Sequence, residues 1–132
     1  MVKALRIIIG LLAVYFAALG LMFLFAPARG AEIFALTPIG SQGLASLRAD
    51  FSAFFLCWAI FAGYGAWSAR PSPLLVPLTL FVIALLGRVI GLFADGIGPE
   101  AFFPMAVEAA SIVVLVAGLR LFPARRRAGG DQ

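Results

Sequence analysis

Histidine is absent from this 132-residue chain, and there is one cysteine, Cys57. Without histidine the usual haem ligand and general base are gone, and no plausible zinc set remains. A lone cysteine inside an apolar run excludes an intrachain disulfide and a CxxC redox centre, so Cys57 reads as a small buried hydrophobe. Charge is also scarce. Only 12% of residues are charged, too few to build a water-facing surface of ordinary polarity. No GxxxxGK[ST] phosphate loop occurs. Any chemistry must therefore use carboxylates, arginines, tyrosines or an outside cofactor, and no motif in the chain calls for a cofactor or a metal.

What the sequence has in excess is hydrocarbon. Hydrophobic residues make up 64% of it and its mean hydropathy is +1.10, against roughly half apolar usage in soluble domains. Four apolar segments are each long enough to cross a bilayer, which takes about 20 helical residues at ~1.5 Å rise. They run over about 2–26, 44–68, 73–94 and 99–122. Pro27 closes the first, Arg70-Pro71-Ser72-Pro73 follows the second, and Pro123 ends the fourth. Pro73 and Pro77 fall in the first turns of the third, where a missing amide donor costs least. The expected fold is all-α, an integral membrane four-helix bundle forming a single domain over 1–132. The stretch Ala31 to Leu36 is read as a short interfacial helix, and 128–132 as a short disordered tail.

Lys3 and Arg6 followed by a long apolar run resemble a signal peptide, with Ala26-Pro27-Ala28 in the place of a cleavage site. The run is longer than a signal core and proline suits cleavage poorly, so the segment is expected to stay as the first span. Lys3, Arg6, Arg70, Arg120, Arg125, Arg126 and Arg127 all fall on one side of a four-span chain. Because Lys and Arg are retained in the cytoplasm during insertion, both termini are expected to be cytoplasmic. The net charge of +4 thus reflects orientation, and no basic domain interleaved with aromatics suggests nucleic acid. Expected partners are membrane lipids, with a membrane-protein partner or a homo-oligomer also open.

The remaining charges are the informative ones. Arg48 and Asp50 come early in the second span, Arg88 late in the third and Glu108 in the second turn or so of the fourth, so all four share one leaflet. Arg88 is about 10 Å below Asp95 along the helix. Intramembrane charges cost roughly 2.5–3.5 kcal/mol each and are expected to face the bundle and pair. The expected ligand or ion-pair cluster is Arg48, Asp50, Arg88, Asp95 and Glu108, with Arg88 on Glu108 and Arg48 on a nearby acid. Such a cluster can fix helix register and nothing more, or it can mark a ligand or proton site.

Ala84, Gly87, Arg88, Gly91 and Asp95 recur at helical steps, and Gly87 and Gly91 are expected to let another helix approach. Comparable stripes are Gly10, Ala13, Ala17 and Gly20 on the first span, Arg48, Ser52, Phe55, Ala59, Gly63 and Ala66 on the second, and Pro104, Glu108, Ser111, Leu115 and Gly118 on the fourth. Tyr15, Tyr64, Trp58 and Trp67 read as packing or interfacial anchors.

Arg48-Ala49-Asp50-Phe51 opening the second helix, Gly87-Arg88 followed by Asp95-Gly96, and an acid in the last helix resemble the pattern of a bacterial family catalogued as domain of unknown function 4345. Pro27 closing the first helix, with Gly40 and Gly43 before Arg48, is also similar. Where that family often has paired glycines after the arginine motif, this chain has Phe51-Ser52-Ala53. The resemblance implies a small four-helix bacterial membrane protein and supplies no substrate.

Three function classes follow. The first is a non-catalytic protein that binds lipid or another apolar ligand, or serves as an accessory subunit of a membrane complex. The second is a small proton-coupled transporter using Glu108 and Arg88. The third is a membrane-embedded isomerase acting on a lipid-soluble substrate, with a carboxylate as acid or base; which residue would be catalytic is not specified by any motif.

Overall fold

Proline and glycine punctuate the chain where the apolar runs stop, and the helices break there. In the computed structural model, which describes residues 1–96 and 98–123, α1 spans Val2–Phe25 and Pro27 opens a short α2, Pro27–Ile33. Gly30 lies under the Phe23 ring, where a Cβ would come within 2.6 Å of Cε1, so α2 folds back against the end of α1. Left-handed residues at Ala35 and Gly40 turn the chain into the next helix. That helix comprises α3 (Gly40–Ser46), one π-helical turn (Leu47–Phe51) and α4 (Ser52–Ser68). It ends at Ala69 in the left-handed conformation, and the Arg70 amide donates to Gly65 O at 3.1 Å. A 3-10 turn, Ser72–Leu74, leads into α5 (Leu75–Ala94), and another, Pro99–Ala101, into α6 (Phe102–Leu121).

Four helical stretches, Val2–Phe25, Gly40–Ser68, Ser72–Ala94 and Pro99–Leu121, are long and apolar enough to cross a membrane. The chain is a multi-pass, all-α membrane protein. The second stretch starts at Gly40, four residues earlier than hydropathy suggests, and at 29 residues it is about 43 Å long, well beyond a ~30 Å hydrocarbon core. The short helix expected over Ala31 to Leu36 comes earlier, at Pro27–Ile33, because Pro27 is preorganised for a first helical turn. Arg125, Arg126, Arg127 and the tail 128–132 lie outside the described residues.

α1 packs most extensively on α4, and α5 pairs with α6. Leu5, Ile9, Ala13, Phe16, Gly20 and Phe23 form the buried stripe of α1 at steps of three and four. Gly20 is the point of closest approach: a Cβ there would lie 2.7 Å from Leu56 Cγ. Phe16 stands at the centre of an aromatic core, 4.4 Å between ring centroids from Trp58 and 5.0 Å, edge-on, from Phe81. Leu74 is a second keystone. Fully buried, it fills the space left by Gly65 and by Gly118, whose Cβ would stand 2.6 Å from Leu74 Cδ1. Lipid tails are as apolar as these side chains, so close packing of this kind is what holds the helices together.

The α6 stripe agrees with periodicity: Glu108, Ser111, Leu115 and Gly118 are buried. The α5 stripe does not. On α5 the buried residues are Pro77 and Phe81, which turns Gly87 outward, with nothing within 4 Å of a Cβ built on it. Gly91 is half-buried.

Candidate functional site

α5 and α6 are consecutive antiparallel helices, so residues equally far from their connection come level. Arg88 and Glu108 each lie about 9 Å along the axis from the connecting end of their helix. Arg88 Nε donates to Glu108 Oε1 at 2.9 Å. The Glu108 side chain is 9% exposed and that of Arg88 30%, so the carboxylate is enclosed while the guanidinium reaches the outside of the bundle. Glu108 Oε2 is buried and has no hydrogen-bond partner among the described residues. One turn further along α6, the buried Ser111 satisfies its hydroxyl by donating to Val107 O at 2.7 Å.

The structure does not bring Arg48, Asp50 and Asp95 to this pair. Arg48 and Asp50 lie on the π-helical turn and are exposed, and among the described residues neither forms a salt bridge. The length of the Gly40–Ser68 stretch is consistent with this: the 17-residue α4, about 25 Å long, is by itself most of a ~30 Å hydrocarbon thickness, and Arg48 and Asp50 lie in the turn before it. The π turn itself is tied down by Ser52, whose hydroxyl donates to Arg48 O. Asp95 is exposed at the end of α5, its amide donating to Gly91 O at 2.9 Å.

Two surface clefts lie elsewhere. One, of about 340 Å³, is bordered by Thr37, Ser46, Asp50 and Phe51 at the π turn. The other, of about 440 Å³, opens between α1 and α4 beside Lys3 and Arg6. Arg88 and Glu108 line neither. No group of three His, Cys, Asp or Glu side chains that could hold a metal ion occurs among the described residues.

A family model described as Domain of unknown function (DUF4345) matches residues 4–119. The chain belongs to that family. No curated protein and no solved structure matches it. In this DUF4345 member the Arg48-Ala49-Asp50-Phe51 string forms the π-helical turn, Gly87-Arg88 brings a cation to α6, and Glu108 receives it.

Sequence reasoning missed Arg6. It is more than an orientation marker: Nε donates to Ala66 O and Nη2 to Trp67 O, both at 2.7 Å. These carbonyls belong to the last turn of α4, which leaves its final acceptors without intrahelical donors. The C-terminal acceptors of a neighbouring antiparallel helix are the signal that could have found it, since a basic side chain at such an end satisfies them.

Proposed function

We propose that this DUF4345 member is a non-catalytic protein of the bacterial inner membrane, with both ends cytoplasmic, that binds lipid or another apolar ligand or serves as an accessory subunit of a membrane complex. The observation that carries this reading is the Arg88–Glu108 pair. Its carboxylate is enclosed and already neutralised, and neither cleft is lined by it. A pair placed so holds α5 and α6 in register, a use for which buried ion pairs are suited. Inward orientation is supported by charge: Lys3, Arg6, Arg70 and Arg120 gather at one end and Arg29, Glu32, Asp95 and Glu100 at the other.

A proton-coupled carrier is the second reading, favoured by the buried oxygen of Glu108 that has no partner among the described residues and so keeps its lone pairs for a proton. The two part company in proteoliposomes loaded with a pH-sensitive dye. A non-catalytic protein gives no proton flux above empty vesicles when a pH gradient is imposed. Flux that the wild type supports and Glu108→Gln abolishes establishes the carrier instead.

A further inference from the structure

The cleft between α1 and α4 has the chemistry of an amphiphile laid along it. Its mouth is cationic, carrying Lys3 and Arg6, three residues apart and so on one face of α1. Arg6 spends two donors on neutral carbonyls, which orients the guanidinium without cancelling its charge. Among the described residues no carboxylate lines the cleft; their acids, Glu32, Asp50, Asp95, Glu100 and Glu108, belong to the opposite half of the bundle.

Below the mouth the walls turn apolar. Ile7 and Gly10 form one side and Gly63 the other. A Cβ on Gly10 would meet nothing within 4 Å, and one on Gly63 would meet only Ala13 Cβ at 3.6 Å. The two glycines thus leave the apolar part of the cleft open as a trench between α1 and α4, continuous with the charged rim. Trp67 stands at the rim, 84% exposed, where an indole suits the headgroup level.

We propose that this cleft binds one anionic phospholipid, its phosphate between Lys3 and Arg6 and one acyl chain over Gly10 and Gly63. A basic recess between helix ends is suited to acidic headgroups, whereas the cationic group of a zwitterionic lipid would face two like charges. The inference gives the lipid-binding reading above a place and a headgroup, and it rests on that reading only in taking the chain to be lipid-embedded. Proton flux has no bearing on it.

The test is native mass spectrometry of the full chain in mild detergent, titrated with dioleoyl phosphatidylglycerol or dioleoyl phosphatidylcholine. The phosphatidylglycerol complex forms at 1:1 and about tenfold more tightly than that of phosphatidylcholine, as two nearby cations allow. Lys3→Gln weakens phosphatidylglycerol about fivefold. Gly10→Leu, whose side chain enters the trench, lowers it to the phosphatidylcholine level. Lys3 is exposed and Gly10 has open space, so both variants keep the wild-type unfolding midpoint; were Gly10→Leu to misfold, the Lys3→Gln titration decides alone. Arg120→Gln, at the same end but outside the cleft, leaves binding unchanged. Equal affinity for the two lipids, wild-type affinity in Lys3→Gln, an Arg120→Gln loss matching that of Lys3→Gln, or displacement of the lipid by equimolar soluble glycerol phosphate would each overturn the proposal.

Discussion

Removing the charges of the Arg88–Glu108 pair singly and together measures how α5 is held to α6. Glu108→Leu leaves Arg88 unpaired in the membrane. The insertion cost of such a charge is roughly 2.5–3.5 kcal/mol at the bilayer centre. Because the Arg88 side chain is 30% exposed and about 9 Å from its helix end, its head can rise toward water, which lowers the expected loss to about 2 kcal/mol. Arg88→Leu is worse. It strands a carboxylate whose side chain is 9% exposed and whose second oxygen has no partner, for a loss of about 3 kcal/mol, at the low end for breaking a buried pair. The double variant removes both charges together, and replacing a buried pair by apolar groups is close to neutral, so it loses under about 2 kcal/mol. The coupling energy is then about 3 kcal/mol, at the top of the range for contacting residues. Unfolding in mixed micelles of rising SDS content, followed by the near-UV circular dichroism of the buried Trp58, reads all four corners of the cycle. Losses that simply add, with coupling under about 0.5 kcal/mol, would refute the reasoning.

Three further predictions use the same unfolding assay. Arg6→Gln gives up two charge-assisted bonds of 2.7 Å to the end of α4 and is expected to cost about 1–3 kcal/mol; Arg6→Lys recovers less than half, because an ammonium lacks the planar fork that spans two carbonyls. Gly20→Ala puts a Cβ 2.7 Å from Leu56 Cγ and 3.0 Å from the Leu56 amide, for about 1–3 kcal/mol of overpacking. Gly87→Ala, with open space around its Cβ, is neutral or gains up to about 1 kcal/mol from helix propensity.

The four spans were legible because hydrocarbon demands long apolar helices, and little else in the chain competes with that signal. The pairing of Arg88 with Glu108 was legible too, since a short connection between two helices brings residues equally distant from it to the same level. Arg48 and Asp50 misled for a related reason. Their depth was counted from Leu44, where hydropathy rises, but the helix begins at Gly40 and the whole stretch is 29 residues long, so it exceeds a ~30 Å core and its first turns, Arg48 and Asp50 included, need not lie inside it. Gly87 misled because periodicity fixes which residues share a face, not which way the face turns. That choice was made by Phe81, whose ring packs on Phe16 and Trp58 and rotates α5 so that Gly87 looks outward.

Arg6, Arg48 and Arg88 meet three fates, and position decides each. Arg48 lies on the π-helical turn before α4 and stays exposed, with no salt bridge among the described residues. Arg88 lies too deep for that and turns to the one acid level with it. Arg6 lies in the second turn of α1, level with the carbonyl end of α4, and takes neutral acceptors. Its charge is therefore fixed in direction but not cancelled by those carbonyls, and Lys3 adds to it with no acid of the described residues lining the same cleft. Among the described residues two charges of one sign thus stand beside an apolar trench with no acid lining it. The phospholipid proposed for that cleft would supply the counter-charge from the bilayer itself.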